Sequence, residues 1–262
     1  VATTVVRSDT AFAFYDGVKS GEGETVATTL LFSYKVSPQL APMVRLGLVS
    51  NVPPVGGSGV SFVNPVLGAT YVFNLATGLR LATYVGVTIP VGMGGGDSPN
   101  PDTAAAARAG ILARSAMDNA MFAVNDFTVL PGLDLAYSRR GFTVQGEATL
   151  LQLTRVRGEK VQADSARTNF TAGLHVGYFF AAALSLGAEL RHQRWLSTPK
   201  AVAAAPALRD TTTFAVGPRV HVELAKGYWF RPGLAYGRGL DDPMSGQDYN
   251  IVQLDLPFQF PW

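Results

Sequence analysis

The sequence predicts an all-β protein, a transmembrane antiparallel β-barrel of 12 strands, for three reasons. Segments of roughly a bilayer's width alternate apolar and polar residues. Connections between them alternate strictly, long then short. Charged residues are few and fall on the parity opposite the apolar face. Side chains of a strand point alternately to its two faces, so such a segment is oily on one side and polar on the other. The segment 251–262 shows this best: Val252, Leu254, Leu256, Phe258, Phe260 and Trp262 share one parity, and Gln253, Asp255, Pro257 and Gln259 the other.

Composition fits that class. The chain has 262 residues, of which 47% are hydrophobic and 15% charged, against about 25% charged in ordinary soluble domains. A net charge of +2 is too balanced to suggest nucleic acid as a partner. There is no cysteine, so disulfides and thiolate metal sites are excluded. The longest apolar run, 176–188, is too short for a spanning helix, and Ala181–Ala183 reads better as a hairpin turn. An exported chain of this kind is expected to be numbered from after a removed signal peptide.

Alternation places strands near 5–15, 26–36, 42–51, 61–74, 78–90, 126–138, 141–154, 169–180, 184–196, 211–224, 228–238 and 249–262. Most are long enough to cross a tilted bilayer. Short connections fall at 37–41, 75–77, 139–140, 181–183 and 225–227; long ones at 16–25, 52–60, 91–125, 155–168, 197–210 and 239–248. Short periplasmic turns and long extracellular loops are the habit of outer-membrane barrels. A single domain over 1–262 follows, located in the bacterial outer membrane with both termini on the short-turn side.

The outward face carries Val26, Leu30, Phe32, Tyr34 and Val36, then Val63, Leu67, Ala69, Tyr71 and Phe73. Later strands add Phe170, Leu174, Val176, Tyr178 and Phe180, then Phe214, Val216, Val220, Val222 and Leu224. Aromatics gather beside the short turns, from Tyr34 and Tyr71 to Phe258, Phe260 and Trp262, as an interfacial girdle. A thinner second girdle is expected from Tyr15, Phe127, Trp195, Tyr236 and Tyr249. A soluble sandwich or lipocalin-like barrel also alternates, but does not require the long–short order.

The inward face holds the candidate filter: Arg45, Arg80, Glu147, His175, Glu189, Arg191, Arg219, His221, Glu223, Arg231 and Asp255, with Lys35, Asp134, Gln145 and Gln253. An isolated charge in a dry interior is costly, so most should brace the wall as cross-strand pairs or face water. A polar conduit with solute preference is compatible with both. Ten glycines share this parity, among them Gly47, Gly173, Gly187 and Gly217. They leave room for solute or for a folded-in loop.

The loop to fill that room is 91–125. It begins with a glycine hinge, and Asp102 is placed to cap a helix that the following alanines favour, expected to run to about Asn119. Its polar residues Arg108, Arg114, Asp118 and Asn119 are the candidate constriction. The loop is expected to fold over or into the mouth and narrow it, with an external cap as the other placement. No activated nucleophile sits beside a base, so no enzyme and no cofactor are expected. His175, opposite Glu189 if the Ala182 turn sets the register, reads as a cross-strand pair before a metal site.

Residues 64–73, Asn-Pro-Val-Leu-Gly-Ala-Thr-Tyr-Val-Phe, then 81–92, Leu-Ala-Thr-Tyr-Val-Gly-Val-Thr-Ile-Pro-Val-Gly, resemble transporter barrels known as phenol-degradation meta-pathway outer-membrane proteins. The resemblance covers residues 64–92. It implies a channel for small, hydrophobic compounds and carries no catalytic residues over. The function expected is a passive outer-membrane channel or transporter for small solutes, filtered by luminal charges and narrowed by 91–125. The alternative is a structural or accessory barrel with a plugged lumen that anchors a partner complex. Partners are then membrane lipid, lipopolysaccharide and a small-molecule solute, with room for a protein partner or a homo-oligomer.

Overall fold

The computed structural model describes residues 2–17 and 21–261. Twelve staves run antiparallel to their neighbours and close into a ring. They are β1 (Thr4–Asp16), β2 (Glu22–Ser33), β3 (Leu40–Val52), β4 (Gly59–Phe62 and Val66–Ala76), β5 (Leu79–Thr88) and β6 (Asp126–Arg139), followed by β7 (Phe142–Arg155), β8 (Ala166–Ala181), β9 (Leu184–Trp195), β10 (Asp210–Val220 and Val222–Ala225), β11 (Tyr228–Phe230 and Gly233–Gly239) and β12 (Asn250–Phe260). Closure is made by β1 on β12, from Thr4 opposite Phe260 to Phe14 opposite Asn250. A closed ring leaves no unpaired edge, which an acyl-chain environment demands. No helix among the described residues is long and apolar enough to cross a membrane.

The burial pattern is that of a soluble protein turned inside out. Leu133, Leu174, Leu186 and Leu234 stand exposed on the outer wall, while Asp9, Thr29, Asn169 and Asp255 are buried inside. Exposed apolar surface on this scale marks a lipid-facing band. Tyr34, Tyr71, Phe73, Tyr178 and Phe180 are exposed next to the short turns. Trp262, expected in the same girdle, lies outside the described residues.

Two expectations about facing are corrected. Val63 was expected outside but is fully buried. The chain breaks between Phe62 and Val66, because Pro65 has no N–H to offer a ladder and Asn64 turns its amide inward. The break reverses parity, so Ser61, Val63 and Val66 all face in while Leu67 faces out. In the second girdle, Phe127 and Tyr236 are exposed, but Tyr249 is buried and stacks on Tyr15 with ring centroids 4.9 Å apart. Tyr15 also donates to Asn51 Oδ1 (3.1 Å), and Trp195 packs against the core. All three continue the inward parity of Ala13, Gln193 and Ile251, which is why their rings lie in the interior.

Candidate functional site

The site is built around the segment between β5 and β6. Its root is Asn64. The Asn64 N–H donates to Met121 O, its Nδ2 donates to Ala123 O (2.9 Å), and its Oδ1 accepts from the Gly92 N–H (2.9 Å). One side chain in the β4 break thereby ties both ends of the segment to the wall. Arg157, reaching over from the loop after β7, donates to Pro90 O at 2.8 Å.

Helix α1 (Pro101–Ala113) follows this root. Asn100, not Asp102, is its cap: its Oδ1 accepts from the N–H groups of Asp102 and Thr103, and Pro101 needs no donor in the first turn. The buried face is made of small residues, Ala104, Ala106, Ala107, Gly110 and Ala113, so the helix approaches β1–β4 closely. Gly110 is required there: an added Cβ would lie 2.5 Å from Phe122 and 2.8 Å from Val49.

The helix ends at Ala113 rather than near Asn119. Ser115 and Ala116 take left-handed φ values of 56° and 53°, which turn the chain back before α2 (Asn119–Phe122). Non-glycine residues resist that region. What holds them is Arg114, whose guanidinium binds both oxygens of Asp9 on β1 (2.8 and 3.0 Å) and Asp118 Oδ2 (3.0 Å). Asp118 in turn accepts from Arg45 Nη2 on β3 at 2.6 Å. Burial alone would push the Asp118 carboxyl up, but the Arg45 and Arg114 guanidiniums outweigh it and hold it below the ordinary carboxylate value. Burial would likewise lower Arg114, and Asp9 and Asp118 raise it instead.

The network continues along the wall. Gln253 Nε2 donates to Asp9 (2.8 Å), Arg7 Nε to Asp255 (2.6 Å), Arg219 Nη2 to Asp255 (2.5 Å), and Arg191 Nη2 to Glu189 (2.6 Å) and Gln253 (3.1 Å). Toward the long loops, the interior is an apolar core in which Met121, Phe122 and Val124 meet Ala13, Val49, Leu151 and Leu153 of the wall. Toward the short turns lies a cavity of about 930 Å³, roofed by Arg114, Met117 and Asp118.

Of the expected filter residues, Arg45, Glu147, His175, Glu189, Arg191, Arg219, His221, Arg231 and Asp255 line this cavity. Arg80 and Glu223 do not: Arg80 is exposed near the short turns, and Glu223 accepts from the Gly227 N–H in one of them. Inward parity continues past the last row that the cavity reaches, which is why both were expected inside. Arg108 is exposed on the outer side of α1, whereas Arg114, Asp118 and Asn119 are buried. Glu189 pairs in register with His175.

Sequence reasoning missed three features. Ser185 Oγ and His221 Nε2 lie 2.8 Å apart in the cavity wall, with Phe179 against the imidazole. No carboxylate among the described residues hydrogen-bonds that ring, so the triad logic is incomplete and the pair reads as a brace. Asp126, fully buried, is clasped by Arg155 (2.6 Å) and Arg167. Third, Asn119, Asn169 and Gln193 form a buried amide chain. His221 and Asn119 were expected, without these partners; the other residues stand on strands whose inward parity was readable, but their types carry no single chemical signature.

No protein-family model matches the sequence, and no curated protein sequence does. Solved structures do resemble it. An outer membrane channel from Pseudomonas putida F1 aligns with a TM-score of 0.60 at 16% identity, covering 99% of this chain and 95% of that one. The KdgM porin, in complex with disordered oligogalacturonate, aligns at 0.51 and 12%, covering 97% and 99%. The β domain of the Bordetella autotransporter BrkA aligns at 0.54 and 12%, covering 99% and 100%. At these identities the likeness shows the fold alone. That fold is the closed 12-stranded antiparallel barrel of outer-membrane proteins, and channels and porins are among those that share it.

Proposed function

We propose that this chain is a passive channel of the bacterial outer membrane for small solutes, closed in the conformation described, with segment 91–125 as its movable restrictor. The observation that carries this is how the segment is held. Apart from its root at Asn64, it is attached by side-chain ion pairs, packing and hydrogen bonds, not by strand pairing to the wall. Such contacts can be exchanged without opening the barrel. The charged cavity on the short-turn side then acts as a vestibule, with Arg219, Arg231, His175 and Glu147 setting solute preference. The resemblance of residues 64–92 to the meta-pathway outer-membrane proteins supports the channel class.

The second reading is an accessory barrel whose lumen stays shut. The dry core in which Met121 and Phe122 meet Val49, Leu151 and Leu153 favours it, since it fills the interior toward the long loops. The likeness to an autotransporter domain is compatible with it. Recording in a planar bilayer separates the two: the intact protein carries an intermittent ion current on the channel reading and none on the accessory reading.

A further inference from the structure

The plug meets the wall in two chemically different ways. Against β1–β4 the helix face is dry, Ala107 and Ala113 of α1 packing with Ala13, Ala27 and Val49, and the turn after it is locked by the Arg114–Asp9 and Arg45–Asp118 ion pairs. Against β8–β10 the plug is polar. Asn119 Nδ2 donates to Asn169 Oδ1 (3.2 Å), Asn169 Nδ2 to Gln193 Oε1 (2.6 Å), and Gln193 Nε2 to Thr211 Oγ1 (3.2 Å). All four residues are no more than 2% exposed. The hydrogen bonds do not close this seam. Among the described residues, Asn119 Oδ1 and Thr213 Oγ1 are fully enclosed and have no hydrogen-bond partner.

The seam is continuous with the cavity. Thr171, Arg191 and Ala215 line the cavity, and each is followed on its own stave, one inward-facing position nearer the long loops, by Asn169, Gln193 and Thr213. Opening the dry side exposes apolar surface and breaks the buried Arg114–Asp9 and Arg45–Asp118 pairs. Opening the amide side exchanges protein hydrogen bonds for bonds to water or solute and gives the two orphan oxygens the partners they lack. The cheaper separation is therefore on the β8–β10 side.

We propose that solute passes along this side, between α2 and staves β8–β10, and that the class admitted is small, uncharged molecules rich in hydrogen-bond donors, such as polyols and amides, rather than aromatic hydrocarbons. This rests on the channel reading. A donor-bearing solute satisfies Asn119 Oδ1 and Thr213 Oγ1 in turn; a hydrocarbon leaves both unpaired.

The absence of cysteine makes the test direct. Thr213→Cys, with Asn169→Cys as a second probe of the seam, is compared with Ala27→Cys on the dry side, each reconstituted in liposomes. A small membrane-impermeant methanethiosulfonate should modify the seam cysteines at least roughly tenfold faster than Ala27→Cys. Modification should also slow glycerol-driven swelling of the liposomes. Equal or reversed rates, or swelling that survives complete modification of the seam, overturn the proposal and leave the channel reading standing. Wild-type liposomes that swell in no solute at all remove the channel reading, and this inference with it.

Discussion

The Arg114 guanidinium binds the Asp9 carboxylate with two parallel hydrogen bonds of 2.8 and 3.0 Å, across 105 residues of chain. Both side chains are 8% exposed. The pair joins the end of the plug helix to the first stave, and a third bond, from Arg114 to Asp118, fixes the turn that follows. Forked guanidinium–carboxylate geometry of this kind specifies position as well as energy.

Removing one partner of a buried pair leaves the other charge uncompensated. Arg114→Ala should therefore loosen the plug by about 3–5 kcal/mol. Amide hydrogen exchange of α1 in detergent micelles should quicken accordingly, while exchange in the β6–β8 wall stays slow. Unchanged protection of α1 would show that Arg114 does not anchor it.

Acid should release the plug late. A carboxyl whose value is lowered on folding contributes stability that is fully present above its unfolded value and is lost as pH falls through the folded one. Asp118 is held below its ordinary 3.8, and Arg114, raised above its ordinary value by Asp9 and Asp118, stays charged throughout. Protection of α1 should thus persist from neutral pH down through the usual carboxylate range and fail only below it. Release already near pH 6 would contradict this assignment.

The facing of the wall can be tested with two arginines. Leu174 is 48% exposed at the middle of β8, and Leu174→Arg should cost about 2–4 kcal/mol and impair assembly. Ala82 lines the cavity and pairs in register with Asp134, so Ala82→Arg should be tolerated. Heat-dependent migration of the folded barrel on a gel reads both. Equal damage would mean that the two faces are misassigned.

Gly110→Ala probes the fit of the plug. The added methyl meets Phe122 and Val49 well inside contact distance, and overpacking of this kind costs about 1–3 kcal/mol. The expected result is a lower melting temperature for the α1 contacts with the strand signal intact.

Much of this was legible in the residues. The two-faced strands and the long–short order come from local periodicity, which lipid on one side and polar groups on the other enforce residue by residue. The end of α1 was not legible, because nothing near Ala113 stops a helix; Asp9, far away in the chain, stops it by binding Arg114. Asn64 and Pro65 did carry a signal, a strand interrupted by a proline, that would have warned of the parity change burying Val63. Tyr249 was legible too: it shares the parity of Ile251, Gln253 and Asp255, which face in, and its place in the expected girdle ran against that parity. The amide chain of Asn169 and Gln193 was visible as inward parity, but uncharged side chains drew no attention beside the arginines.

The most direct measurement is the planar-bilayer current of a variant lacking residues 97–121, compared with the intact chain. The account predicts a steady current larger than that of the intact protein, because the apolar core and the Arg114 contacts that close the lumen leave with the segment. A current that stays the same, or stays at zero, would contradict it.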